Sequence, residues 1–386
     1  MPQWISTPIT AELVRGAIEL EKTEYGVLPH RLGALGREQN VDGQLAMAEA
    51  QPSGVRVVFR TAAAAIELDV LPTKMAYVGV PARPDGIYDL LVDGELAAQG
   101  TADGGNVLTI DFSTGSRVTT PGPVGSVRFS GLPAETKDVE IWLPYAEITQ
   151  LVALRTDAPV EPTPATGRRT WLHHGSSISH GSNADSPTGI WPALAARQAG
   201  VELVSTGFGG SALLDPFTAR TLRDTPADLI SVKLGINLVN TDLMRLRALG
   251  PAVHGFLDTI REGHPTTPLL VISSLHCAIH EHTPGPLAPD FSDGTVKFMA
   301  TGDPEEVAAG KLTLTVIREE LARVTAARAA GDPNLHHLDG LTLYGEADEA
   351  ALPLPDRLHP DAATHRLIAD RFVEHAFLNG PFAEKS

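Results

Sequence analysis

The chain has 386 residues, 42% hydrophobic side chains and a formal net charge of −17. That length accommodates two domains and at least one sizeable core, and the acidity excludes a broad basic face for nucleic acid or an anionic membrane. The single cysteine, Cys277, excludes an intramolecular disulfide, and no apolar run approaches the roughly 20 residues of a membrane-spanning helix. Met1-Pro2-Gln3-Trp4 is not a basic region followed by an apolar one. The expectation is a cytoplasmic protein without nucleic-acid or membrane partners.

The first 50 residues carry no clear period and read as edge strands or a lead-in. From about 50 to 155 the chain reads as short strands. Val55-Arg56-Val57-Val58-Phe59-Arg60 and Ala65-Ile66-Glu67-Leu68-Asp69-Val70 alternate with a period near two, and Asp93-Gly94 is a strong hairpin signal. Val127-Arg128-Phe129 and Val139-Glu140-Ile141-Trp142-Leu143 continue the pattern. This predicts an antiparallel β-sandwich or jelly-roll-like domain over 1–160, with Tyr88, Trp142 and Tyr145 either in its core or on a sugar-stacking surface. The proline-rich stretch 156–168 predicts a linker, set at 161–169. From 170 to 386 apolar strand candidates (201–206, 228–234, 268–275, 335–339) alternate with helix candidates (189–199, 251–263, 304–329, 360–378). That alternation implies an α/β domain: a doubly wound parallel sheet whose ligands bind beyond the carboxyl ends of the strands.

Four blocks in this second half suit nucleophilic chemistry. Gly175-Ser176-Ser177 follows the strand-like Arg169-Thr170-Trp171-Leu172-His173-His174, where a sharp turn exposes a hydroxyl beside backbone N–H groups. Ser177 is the candidate nucleophile, with Ser176 and Ser179 as rivals. Gly207-Phe208-Gly209-Gly210-Ser211 ends the next strand and could simply turn the chain or offer an N–H to an oxyanion. Asn237, after the strand Leu229–Leu234, could cap or could stabilise negative charge through its amide. Asp356-Arg357-Leu358-His359 sets a carboxylate three residues before a histidine, a spacing that joins the two in a helical turn. A serine hydroxyl is a weak nucleophile unless such a histidine takes its proton and an acid orients the imidazole.

In their order these blocks resemble those of the SGNH (GDSL-type) hydrolase family, over about residues 170–378. The resemblance implies a flavodoxin-like α/β hydrolase sheet. It implies Ser177 as nucleophile, His359 and Asp356 completing a triad, and Ser177, Gly210 and Asn237 as the oxyanion hole. Ser176 stands where the family name has Asp, and Leu238 stands where many members have Asp. The Gly-Ser-Ser-Ile form behind a β-rich domain resembles the branch that pairs the hydrolase with a jelly-roll-like module, and Gly86-Ile87-Tyr88-Asp89-Leu90 is similar to a short motif of such modules. Several two-domain members act on acylated carbohydrates.

The expected activity is therefore cofactor-free and metal-free hydrolysis of a small carboxylic ester, releasing a short acyl group such as acetyl from a hydroxylated or sugar substrate. An acyltransferase with the same triad and a binding protein on an inactive hydrolase fold are the alternatives. His276, His280 and His282 with Glu281 raise a zinc deacetylase as a further rival. The preferred reading has the 276–302 segment partly roofing the site, with Ser176, His276 and His280 contacting substrate. Cys277 reads as an apolar filler, and His173 and His174 as inward-facing residues. Homo-oligomerisation is left open.

Overall fold

The computed structural model describes residues 4–111, 114–164, 166–290, 292 and 295–384. Alternation builds its first half. Along Gly125–Ser130 every second residue is buried, so Val127 and Phe129 enter the core while Ser126 and Arg128 face out. Among the described residues two sheets form, of eight and six strands. Val57, Phe59, Val139 and Ile141 of the smaller sheet share one core cluster with Leu68, Val70, Val127 and Phe129 of the larger. The hairpin Ile87–Val92/Glu95–Thr101 turns at Asp93-Gly94, both with positive φ. The ladders are antiparallel as expected, except that the end of the long strand Ala65–Tyr77 pairs in parallel with Asn106–Ile110. Tyr88 and Trp142 are buried, so these two aromatics serve the core.

The second half is an α/β unit. Its sheet has the order Glu202–Gly207, Thr170–Gly175, Leu229–Lys233, Leu269–Ile272, Leu335–Leu338, and every pairing is parallel. Strands covered on both faces need nearly unbroken apolar runs, and Leu269–Ile272 is buried throughout. The position of Thr170–Gly175, between the second and third strands in chain order, makes its carboxyl end the switch point where such sheets bind ligands. Helices Trp191–Ala199, Leu246–Gly263 and Ala362–Phe372 fall where expected.

Three local readings change. The stretch 304–329 is not one helix: Gly310, with φ of +90°, separates the turn Pro304–Ala309 from the helix Leu314–Ala329. The segment 276–302 is not all loop, because Leu287–Asp290 and Lys297–Ala300 pair as a hairpin. The helix Pro216–Asp224 is additional; its Thr- and Arg-rich sequence carries only a thin apolar stripe.

The chain separates into two compact units that are not contiguous in sequence. One contains Met1–Gly33, Glu49–Gly167 and Ser186–Thr188; the other contains Ala34–Ala48, Arg168–Asp185 and Gly189–Ser386. Within the β-rich unit the buried Asp89 accepts from Ser186 Oγ, Thr188 N–H and Thr188 Oγ1. The helix Ala34–Gln39 packs on Pro216–Asp224 in the α/β unit. Among the described residues, no helix is long and apolar enough to cross a membrane.

Candidate active site

The strand Thr170–Gly175 is anchored by Trp171, which stacks on Phe372 at 5.0 Å and donates its indole N–H to Ser231 Oγ. The strand must then end on glycine: a Cβ on Gly175 would lie 2.4 Å from Ser179 Oγ. Ser176 is extended, and its carbonyl accepts the N–H groups of Ser179 and His180, closing the single helical turn Ser177–His180. Ser177, as first residue of that turn, keeps its own N–H outside the helical ladder. The turn stops at Gly181 in the left-handed region.

Ser177 Oγ lies 2.9 Å from His359 Nε2, and His359 Nδ1 lies 2.7 Å from Asp356 Oδ2. The other Asp356 oxygen accepts the N–H groups of Leu358 and His359 at 2.9 and 2.7 Å. Burial pushes this carboxyl up, but the hydrogen bond and charge of His359 and the two backbone donors outweigh it, so Asp356 sits below its ordinary range. An ionised Asp356 accepts the hydrogen bond of Nδ1–H and so keeps the proton on Nδ1, which leaves Nε2 to accept the Ser177 O–H. The pair is not brought together by a helical turn, contrary to expectation. Arg357 has φ of +66°, and the helix begins only after the Asp361 cap. Phe298, from the 287–300 hairpin, packs edge-on against the imidazole at 5.8 Å and donates its N–H to the Asp356 carbonyl. Asn183 Nδ2 stands 3.4 Å from Asp356 Oδ2.

The glycine block comes close to the same serine. A Cβ on Gly209 would sit 3.8 Å from Ser177 Cβ, and the Gly209 N–H donates to His180 Nδ1 at 3.2 Å. Gly210 has φ of +74°. Asn237 is 1% exposed, and its Oδ1 accepts the Ala212 N–H at 3.0 Å. That bond fixes the amide orientation and leaves Nδ2–H as the donor end. Gly235 before it is required, since a Cβ there would lie 2.3 Å from Ser274 Oγ.

Most of the other candidates have partners of their own. His173 bonds Ser231 and Ser179, and burial, with His174 and Lys233 nearby, drives its pKa well down. His174 donates from Nδ1 to the Thr206 carbonyl. Both therefore face into the sheet, and Ser179 is engaged beneath it. Ser176 Oγ is buried with no hydrogen-bond partner among the described residues. His276 is held between Glu349 (2.7 Å) and Glu281 (3.4 Å), and Glu281 also meets Arg318 and the Cys277 N–H. His280 is buried and donates to the Thr283 carbonyl, while His282 is exposed. Among the described residues no three His, Cys, Asp or Glu side chains could hold a metal ion. Burial, with Glu281 and Glu349 nearby, pushes the Cys277 thiol up to about 12, so it stays protonated at neutral pH.

Residues 169–283 match the family model of the GDSL-like lipase/acylhydrolase family. No protein of curated function matches the chain in sequence. Among solved structures, the salicylyl-acyltransferase SsfX3 from a tetracycline biosynthetic pathway is 29% identical, with a TM-score of 0.78 and 96% of each chain covered. A structure from Bacteroides ovatus assigned as a GDSL-like lipase is 19% identical over 96% of this chain and 95% of that one, TM-score 0.66. The acetyl xylan esterase Est2A from the rumen bacterium Butyrivibrio proteoclasticus is 13% identical over 96% and 97%, TM-score 0.52, a likeness of fold. The α/β unit described above, with its Ser177–His359 pair at the switch point of a flavodoxin-like sheet, thus carries a GDSL-like lipase/acylhydrolase domain over residues 169–283 and has the fold of SGNH hydrolase structures.

Proposed function

We propose that the chain is a carboxylic ester hydrolase working through a Ser177-His359-Asp356 triad on short acyl esters, acetyl above all, of a hydroxylated or carbohydrate substrate. The observation that carries this reading is the continuous line from Ser177 Oγ to His359 Nε2 and from His359 Nδ1 to an ionised Asp356. His359 takes the Ser177 proton as Oγ attacks the ester carbonyl. The oxyanion that forms is received by the N–H groups of Ser177 and Gly210 and by Asn237 Nδ2–H. His359 then protonates the departing alcohol, and water activated by the same imidazole releases the acid and regenerates Ser177. The acetyl and sugar parts of the proposal draw on the likeness to Est2A and rest on fold alone.

A second reading shares every step but the last: an alcohol replaces water and the chain is an acyltransferase. It is favoured by the likeness to SsfX3 along nearly the whole length of both chains. The test is turnover of p-nitrophenyl esters from acetate to octanoate by wild type, Ser177→Ala and His359→Ala. Both variants are expected to lose about 10⁴-fold or more in kcat. Activity surviving in Ser177→Ala removes the nucleophile. A product ratio that shifts from acid to new ester as alcohols are added decides for transfer.

A further inference from the structure

Gly209 is held from both sides. Its N–H donates to His180 Nδ1 at 3.2 Å, and its C=O accepts from Gln44 Nε2 at 2.9 Å. A peptide unit ties one residue's carbonyl to the next residue's N–H in a single trans plane. The carbonyl that Gln44 grips therefore belongs to the plane that carries the Gly210 N–H. That plane joins two glycines, with Gly210 at φ of +74°, so no Cβ on either side resists its rotation. Gln44 itself is well placed to resist it. Its backbone N–H is fixed on Asp42 Oδ1 at 2.9 Å, and its Cγ lies 3.3 Å from where a Gly210 Cβ would stand.

We infer that Gln44 is a positioning residue for the oxyanion site: it locks the Gly209–Gly210 peptide with its N–H toward the reacting centre. By donating to that peptide's carbonyl it also makes the N–H at the other end a stronger donor. The inference rests on the function proposed above, in which Gly210 N–H receives the oxyanion. Ala34–Ala48, which contains Gln44, is part of the α/β unit although it lies more than a hundred residues before that unit's first strand.

The experiment compares Gln44→Met, Gln44→Glu and Gln44→Lys in the full chain, with kcat normalised to the fraction of Ser177 titrated by a serine-directed phosphonate. Removing a direct oxyanion donor costs about 10²–10³ in kcat, and the Met variant, acting one peptide away, is expected to lose about tenfold with KM within about twofold. The Glu variant keeps the shape but sets a carboxylate against a carbonyl, and is expected to lose more. The Lys variant restores an N–H donor and is expected to recover most of the Met loss. A Met variant with wild-type kcat overturns the inference. So does a Lys variant as impaired as Met, or a loss seen only in titre or melting temperature, because these point to packing. A wild type that is neither labelled at Ser177 nor active on esters overturns the proposed function, and the role of Gln44 with it. An active, labelled wild type beside an unaffected Met variant overturns the role of Gln44 alone.

Discussion

Asp356 holds two groups at once, the turn's N–H groups on Oδ1 and the His359 ring on Oδ2. Asp356→Asn preserves the shape but not the chemistry. The new amide oxygen stays with the two backbone donors, and its NH₂ then faces His359 Nδ1. The ring must accept there and carry its proton on Nε2, where it cannot take the Ser177 proton. A fall in kcat of about 10⁴-fold with little change in melting temperature is expected, from ester hydrolysis and thermal unfolding. A fall of less than about tenfold removes the tautomer argument. Ser177, Asp356 and His359 were legible in the sequence because each sits in a short local pattern, a glycine-edged turn after a strand and a carboxylate three residues before an imidazole. Gln44, His180 and Asn183 were not legible. Gln44 meets Gly209 across 165 positions, and no periodicity links the two.

Among the elements, the helix Ala362–Phe372 follows the Asp356–His359 turn directly, and His365 ties it down. Its Nδ1 accepts the Trp191 N–H and its Nε2–H donates to the Ser182 carbonyl, so only the neutral ring satisfies both. Burial lowers its pKa to about 4, against the Ser182 hydrogen bond that raises it. With the folded value below the unfolded one, the native state binds fewer protons between about 6.5 and 4. This contribution is therefore present above pH 6.5 and is lost as the pH falls through that window. The shift corresponds to about 3 kcal/mol. Urea unfolding at pH 7 and pH 4 should show wild type losing about that much more stability than His365→Gln; equal losses would contradict the assignment. The helix itself was legible from its apolar spacing. The break at Gly310 and the 287–300 hairpin were not, since one depends on a single left-handed residue and the other on pairing through a segment rich in proline and glycine.

For the whole molecule, the two fold classes were legible from the change of period near residue 160, because periods of two and of strand–helix alternation are local properties. The path of the chain between them was not. Ala34–Ala48 belongs with the α/β unit, and its buried Leu45 and Met47 carry no mark in sequence of where they pack. A fragment of residues 168–386 keeps all five parallel strands and Ser177, Asp356 and His359 but lacks this segment. It is expected to show little phosphonate labelling of Ser177 and reduced thermal stability compared with the full chain. A fragment as active and as stable as the full chain would falsify the dependence.

The placement of residues 34–48 also bears on how the protein is made. On the ribosome this stretch emerges long before Gly209, and the turn bearing His359 emerges later still. The nascent chain must carry its early helices without their final partners while the β-rich sequence is being synthesised. Folding one domain at a time in order of synthesis is closed to such a chain. The reacting centre can close only after the His359 turn has been made, through contacts that span 165 and 182 positions and form slowly for that reason.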